Sequence, residues 1–232
     1  YAAGVMAQFF YRPVGSASLP AFTSVPMADD GLHGDGLAGD GVYGAQIAPL
    51  PNFTIIEFYV AATNARGLGR TWPAAALDTF DNPIQQANAH FQVDNSVYSG
   101  NQPFYRFVMT EPERAELKLE HDRDVNSENS LNAQMNLTFI TIDGAESLCV
   151  YNCGARNRGA GTRSAWPMNY RLSFPNDKRW KGVGGIHLNT QYTYSQLAAY
   201  AMGIKSGVDV EAARVVQLLV NGANLAYDNL GV

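Results

Sequence analysis

Residues 154–174, GARNRGAGTRSAWPMNYRLSF, carry three arginines and three glycines in their first ten positions and then alternate apolar with polar residues. The alternation predicts a strand, and the glycines before it predict a flexible loop that follows another strand. Backbone N–H groups and guanidinium groups in such a loop can bind a phosphate or a carboxylate. The alternative is that the arginines are solvated or pair with nearby acidic residues. The stretch therefore predicts strand, loop and strand, with the loop as a candidate anion site.

The composition is that of a packed globular protein, since 46% of the 232 residues are hydrophobic. With 16 basic and 21 acidic residues the net charge is -5, so the chain as a whole does not attract nucleic acid or an anionic membrane. No run approaches the roughly 20 apolar residues that span a bilayer. The chain starts at Tyr1 without an initiator Met or a signal-peptide pattern, and we expect it to be a piece of a longer protein.

Cysteine and histidine give no clear site. Cys149 and Cys153 are the only cysteines. On one straight strand their Cα atoms would lie about 13 Å apart, which is beyond disulfide reach. A disulfide would need a turn or bulge between them, and the sequence leaves this open. The four histidines, at positions 33, 90, 121 and 187, have no metal-ligand spacing.

Short apolar segments in the first part of the chain predict strands at residues 5–11, 22–27, 42–47 and 53–62. Several short strands separated by turns are typical of an all-β immunoglobulin-like sandwich. A full sandwich needs about seven strands, which leaves open whether an edge is missing.

The glycine-rich segment 29–44 carries aspartates at regular intervals, at Asp29, Asp30, Asp35 and Asp40. Converging carboxylates suit a hard cation such as Ca²⁺, and without a cation they would repel one another. The spacing is not that of an EF-hand. The alternative is that Asp and Gly build successive turns. The segment therefore predicts either a structural calcium site formed by these four aspartates or a series of turns.

The second part of the chain predicts an α+β, mostly antiparallel unit. A strand is expected at residues 105–109, followed by a helix that starts at a capping box, Thr110-Glu-Pro-Glu113, and runs to about Glu120. The remaining predicted elements are a hairpin of 132–142 and 147–157, strands at 167–174 and 183–188, a helix capped by Thr193 or Ser195 and stopped by Gly207, and a final strand at 215–220.

These elements give three segments. We expect the sandwich at 1–72 and the α+β unit at 103–232. Residues 73–102, rich in Pro, Asn, Asp and Ser, are expected to form a linker or packing arm.

Four motifs of the second part occur in a characteristic order: GARNRGAGTR (154–163), NYRLSFP (169–175), IHLN (186–189) and LLVNG (218–222). They resemble the spore-coat CotH kinase-like family, in which a GVRxRGxSSR-type loop, a SYKIxF strand, an LNLN-type strand and an Asn-Gly strand follow one another. Segment 29–44 and EFYVAA (57–62) are similar to the immunoglobulin-like module that often precedes such domains in large bacterial surface proteins.

The resemblance implies the N-terminal, small lobe of an atypical kinase in a secreted, extracellular or cell-surface protein. Its family transfers a phosphoryl group from ATP to protein hydroxyls with Mg²⁺ or Mn²⁺. By resemblance Arg158, Arg163 and Arg171 contact the ATP phosphates, and the partners are a protein substrate or other surface or coat proteins. The family's metal-binding and base-type aspartates follow the Asn-Gly strand, past Val232, so these 232 residues alone are expected not to be catalytic.

Two positions depart from the family pattern. Arg171 stands where a lysine is common, and Met168 replaces a second lysine. Arginine binds phosphate as a two-pronged donor and does not simply replace a lysine. The alternative function is therefore a non-catalytic cell-surface structural or adhesive protein, in which Arg158 and Arg163 pin the loop by bonding backbone carbonyls and acids.

Overall fold

The computed structural model describes residues 4–15, 19–77, 79–80, 82–85, 87–122, 132–159, 161–163 and 165–224, excepting the side chains of 76–77, 83–85 and 223–224. The chain divides into two compact units, Tyr1–Asn95 and Ser96–Val232. The division falls inside the segment 73–102, for which we predicted a linker or packing arm. Residues 89–92 of that segment form a strand of the first unit's sheet.

The first unit is built on a five-stranded antiparallel sheet. Its strands are β1 (Met6–Val14), β2 (Thr23–Met27), β3 (Ile55–Thr63), β4 (Gly69–Trp72) and β7 (Ala89–Gln92), while β5 (Ala76–Leu77) and β6 (Pro83–Gln85) form a separate pair. The central strand is β3, which pairs with β1 along its length and with β4 and β7 at its two ends. The long central strand predicted from the β-branched and aromatic run is thus confirmed. The strand predicted at 42–47 is wrong, because Gly44 makes only an isolated bridge to Ala28.

A polar network is buried in this sheet. The Glu57 carboxylate accepts hydrogen bonds from Arg12 Nε and from Asn88 Nδ2, each at 2.7 Å. His90 lies directly opposite Glu57 on β7 and is 2% exposed. Burial lowers the pKa of His90 to about 4, against the opposing effect of the Glu57 charge. The imidazole is therefore neutral at physiological pH, while Glu57 and Arg12 form an ion pair.

The second unit is a seven-stranded sheet with two helices. Its elements are β8 (Phe104–Val108), α1 (Glu111–Asp122), β9 (Met135–Asp143), β10 (Glu146–Asn157), β11 (Tyr170–Ser173), β12 (Gly185–Leu188), α2 (Thr193–Lys205), β13 (Gln217–Val220) and β14 (Ala223–Asn224). The strand order is β12-β11-β10-β9-β8-β13-β14, and every pairing is antiparallel except that of β13 with β8. The predicted α+β, mostly antiparallel organisation is observed, including the hairpin of β9 and β10 around Gly144, whose φ is 63°.

One face of the second sheet forms the hydrophobic core. Phe107, Phe139 and Leu172 are fully buried there, and Leu117 of α1 packs into the same cluster. The predicted start of α1 is confirmed, since Thr110 Oγ1 accepts a hydrogen bond from the Glu113 N–H at 3.3 Å. The Glu113 carboxylate in turn accepts from the Asn136 N–H of β9 at 3.0 Å. The cap of α1 therefore also fixes the helix to the sheet.

The second helix differs from its prediction at the start. Its cap residue is Tyr192, in a left-handed conformation and without a side-chain cap, so the expected cap at Thr193 or Ser195 is wrong. The predicted end is confirmed by Gly207, whose φ is 71°. With 12 and 13 residues respectively, α1 and α2 are too short to cross a membrane, and no other helix occurs in the described residues.

A β-bulge interrupts the pairing of β10 with β9. Val150 lies opposite Phe139 and Cys153 opposite Leu137, so two residues, Tyr151 and Asn152, face the single position between them. The bulge shifts the alternation of β10 by one residue, and both Val150 and Cys153 point into the core.

The bulge has two consequences. Cys149 precedes Val150 and so lies on the opposite face from Cys153, and both cysteines are free. Beyond the bulge Ala155 faces the core at 0% exposure, which places Arg156 on the other face. An unbroken alternation from Val150 would instead have turned Arg156 inwards.

Replacing Asn152 with valine should destabilise the second unit by about 1–2 kcal/mol. Asn152 has a φ of 54°, a left-handed conformation that asparagine and glycine tolerate and β-branched residues do not. Asn152→Gly is the matched control and should stay within about 0.5 kcal/mol of the natural protein. Amide hydrogen exchange in β9 and β10 measures both, and equal effects of the two substitutions would contradict a backbone origin.

Candidate functional site

Three basic side chains form a row across three neighbouring strands of the second sheet. Arg156 of β10 lies directly opposite Arg171 of β11, which lies directly opposite His187 of β12. Residues opposed in this way project from the same face with Cβ atoms about 4.5–5.5 Å apart. Arg158, two residues after Arg156, continues the same face, and its N–H donates to the Asn169 carbonyl at 3.0 Å. We call Arg156, Arg158, Arg171 and His187 the cationic row.

The sequence places this row on the solvent face because its neighbours are buried. Arg171 alternates with Tyr170 and Leu172, which are 1% and 0% exposed in the core. Arg171 and His187 are themselves exposed, and Arg156 is half-buried. The alternation of the strand predicted at residues 167–174 thus sets which side of the sheet is charged.

The charges of the row repel one another. Burial lowers the pKa of Arg156, and the charges of Arg171, Arg163 and Arg158 lower it further. The pKa of His187 is likewise lowered, first by burial and then by Arg158 and Arg171. Like charges placed directly opposite each other in a sheet are destabilising, by about 0.2–1 kcal/mol per pair.

No carboxylate forms an ion pair with a member of the row within the part of the chain that the structure describes. Arg156, Arg158 and Arg171 form no ion pair there, and the side chains of Arg171 and His187 form no hydrogen bond there. Guanidinium groups without a carboxylate, held side by side on a sheet, favour an external anion. Phosphate and sulfate groups match this arrangement because each offers several acceptor oxygens.

Arg158 is positioned by the start of α2. Its Nη1 donates to Asn189 Oδ1 at 2.5 Å, and Asn189 Nδ2 donates to Gln196 Oε1 at 2.8 Å. The loop after Arg158 turns tightly at Gly159, whose φ is 124°. A Cβ there would lie 2.7 Å from Thr162 Oγ1, so only glycine fits.

Arg163 has a different environment from the other two arginines predicted to contact phosphate. It is 9% exposed, and its Nη1 donates to Asn132 Oδ1 at 3.4 Å. Its carbonyl accepts from Asn157 Nδ2 at 3.0 Å, which ties the loop to the end of β10. Burial and the Asn132 contact are compatible with the pinning alternative for Arg163, although the Asn132 acceptor is an amide oxygen, and phosphate contact by Arg163 stays a prediction as well. Phosphate contact by Arg158 and Arg171, on the exposed face, stays a prediction.

Arg156 and His187 belong to the row but were not among the predicted site residues. The signal for Arg156 was its two-residue spacing from Arg158, which places both on one face of a strand. His187 could not be found in this way, because its place beside Arg171 depends on the register of β11 with β12.

Residues 29–44 of the first unit, which we call the acidic segment, form turns around their aspartate carboxylates. Asp35, 1% exposed, accepts hydrogen bonds from the N–H groups of Asp30, Gly31 and His33 at 2.6, 2.7 and 2.9 Å. These bonds, with that of Gly31 foremost, lower the pKa of Asp35. Asp30 Oδ1 lies 2.9 Å from His33 Nδ1, and this contact lowers the pKa of Asp30 and raises that of His33.

The remaining two aspartates are used in the same way. Asp29 accepts from the N–H groups of Gly39 and Gly41 at 2.7 and 2.9 Å. Asp40 accepts from the N–H of Val42 at 2.8 Å. Among the described residues, no group of three or more His, Cys, Asp or Glu side chains is placed to hold a metal ion. The four carboxylates therefore fit the turn-building alternative better than a calcium site, and calcium binding stays a prediction.

Comparison with known families bears on the first unit. Residues 18–67 match the family model described as "Conditioned medium factor 2nd Ig-like domain". These residues are immunoglobulin-like. The match covers β2, the acidic segment and β3, and it confirms the predicted immunoglobulin-like module. It does not extend to the second unit, whose resemblance to the CotH family stays a prediction. A search of curated proteins found no match.

Proposed function

We propose that the chain is part of an extracellular or cell-surface CotH-like protein, and that the cationic row of its second unit binds the phosphates of ATP. The observation that carries the proposal is the alignment of Arg156, Arg171 and His187 across three strands without an ion pair to the two arginines in the described residues. The four family-like motifs lie on the same part of the chain, and their resemblance to the CotH family is the reason for proposing a nucleotide as the anion.

The donor set fits a polyphosphate. Arg156, Arg158 and Arg171 carry guanidinium forks that bond phosphate oxygens in pairs. Arg171 is exposed, whereas Arg156 and Arg158 are half-buried and each already donates through Nη1, to Asn132 and Asn189 respectively. ATP would bring the phosphoryl group that the family transfers to protein hydroxyls. The chain's own residues would bind and orient the phosphates.

The described residues supply binding rather than a complete reaction centre. Phosphoryl transfer needs carboxylates to hold a divalent metal and a base to accept the hydroxyl proton. No described group of three His, Cys, Asp or Glu side chains could hold such an ion. We therefore expect Mg²⁺ or Mn²⁺ to reach this face only together with the nucleotide.

Calorimetric titration tests the proposal. ATP and inorganic triphosphate should both bind the chain, adenosine should not bind measurably, and both affinities should fall as salt is added, because the contacts are between charges. Tighter binding of ATP than of triphosphate would indicate a further contact between the protein and the adenosine part of ATP. Absence of binding by both phosphates at low salt would overturn the proposal.

The second candidate is a non-catalytic surface structural or adhesive protein. The immunoglobulin-like match and the arginine at position 171 favour it. It predicts that neither ATP nor triphosphate binds, so the same titration decides between the two.

A further inference from the structure

His187 occupies the open end of the cationic row. It lies on β12, the last strand of the sheet, directly opposite Arg171. The imidazole is exposed and has no hydrogen bond in the described residues. Both ring nitrogens are therefore accessible to a ligand lying along the row.

Burial, and after it the charged groups around His187, lower the pKa of its imidazole and keep it neutral. Arg158 and Arg156 act from β10 and its continuation, and Arg171 acts from β11; all three lower the pKa of His187. Glu211, in the segment after α2, is the one described acid that acts in the opposite direction, and its effect is smaller than those of Arg158 and Arg171. At neutral pH the row therefore carries the charges of its arginines alone.

A bound dianion would instead favour the protonated form of His187. It offsets the guanidinium charges that disfavour the imidazolium, and its oxygens accept a hydrogen bond from a protonated ring nitrogen. Both effects favour the charged form of His187. Because linkage is reciprocal, protonation of His187 must then strengthen binding of the anion by the same factor.

We propose that His187 is a ligand of the anion bound by the cationic row, and that binding of a phosphoryl or sulfate dianion is coupled to uptake of one proton by its imidazole. This inference rests on the proposed anion site and adds its regulation by pH. The site would hold a dianion tightly in weakly acidic surroundings and release it as the pH rises. His187, the residue that couples the two events, lies in the IHLN motif (186–189).

Inorganic sulfate is the first probe, because it stays a dianion between pH 5 and 8. Any pH dependence of its binding therefore comes from protonation of the protein. Sulfate binding to the full chain, followed by NMR, should be about five- to tenfold tighter at pH 5.5 than at pH 7.5. Saturating sulfate should raise the pKa of His187 by about one unit, since a tenfold change in affinity and one pKa unit are the same free energy. Calorimetry of sulfate binding in two buffers of different ionisation enthalpy then counts the protons taken up by the protein.

The matched variants are His187→Gln and His33→Gln. His187→Gln should retain weaker sulfate binding with little pH dependence, and its hydrogen-exchange pattern should match that of the natural protein because the side chain is exposed. His33→Gln changes a histidine of the first unit and should keep the full pH dependence.

Two results would overturn the inference in distinguishable ways. Sulfate binding that is tight but equal at both pH values, with an unshifted His187 titration, removes the proton coupling and leaves the proposed function standing. Absence of sulfate and triphosphate binding at both pH values removes the anion site itself, and the coupling with it.

Discussion

Replacing Arg171 with glutamine should weaken binding of inorganic triphosphate to the chain about 10- to 100-fold. Arg171 is the middle member of the cationic row, opposite Arg156 on one side and His187 on the other. Its side chain is exposed and makes no hydrogen bond or ion pair in the described residues, so the fold does not depend on its charge. A bound phosphate would lose its central two-pronged donor.

Three comparisons make this result specific. Arg171→Lys keeps a positive charge but loses the fork, so it should bind triphosphate with intermediate affinity. Arg179→Gln removes the same charge from an exposed position outside the row and should leave binding unchanged. Arg171→Gln should also unfold at the same or slightly higher denaturant concentration, because repulsion with Arg156 is relieved. Equal binding by the 171 and 179 glutamine variants would contradict a site at the row.

Replacing Glu57 with alanine should destabilise the first unit by about 3 kcal/mol. The Arg12 and Glu57 side chains are 18% and 11% exposed, so their ion pair is largely shielded from water. Removing the carboxylate leaves the Arg12 guanidinium partly buried without its charge partner and removes the acceptor of the Asn88 Nδ2 bond. Urea unfolding, with amide hydrogen exchange in β1 and β3 to identify the unit, measures the loss.

Two further variants test the physical reason. Glu57→Gln keeps the side-chain shape and one acceptor oxygen, so its cost should be about 1 kcal/mol. A double variant, Arg12→Met with Glu57→Leu, removes both charges together and should be more stable than Glu57→Ala, since no buried charge is left alone. A double variant less stable than Glu57→Ala would show that packing, and not the unpaired charge, dominates.

Local sequence patterns predicted most elements of the second unit. The β9–β10 hairpin, the start of α1 at Thr110 and the end of α2 at Gly207 were all predicted and are observed. Each depends on residues close in sequence: a turn glycine, a capping side chain, or a glycine in the left-handed conformation that ends a helix. In the first unit the same approach predicted β3 but gave a strand at 42–47, where the Val42 N–H donates to the Asp40 side chain and Gly44 makes only an isolated bridge to Ala28.

The acidic segment shows how one composition allows two chemistries. Aspartates spaced among glycines can bind a cation or can cap turns, and the sequence did not choose between them. In the structure the Asp35 carboxylate accepts three backbone N–H groups. The choice depends on where those N–H groups point, which the residue order alone does not determine.

The sequence by itself determined that residues 154–174 carry a cationic loop followed by a strand, and that Arg171 and Tyr170 face opposite sides of that strand. Periodicity of two is a property of any strand and needs no tertiary information. Only the tertiary structure decided which residues meet on the charged side. The bulge at Tyr151 and Asn152 sets the phase of β10, and strand register places His187 beside Arg171. Phase and register are fixed by packing between strands, because every strand must present its apolar residues to one common core.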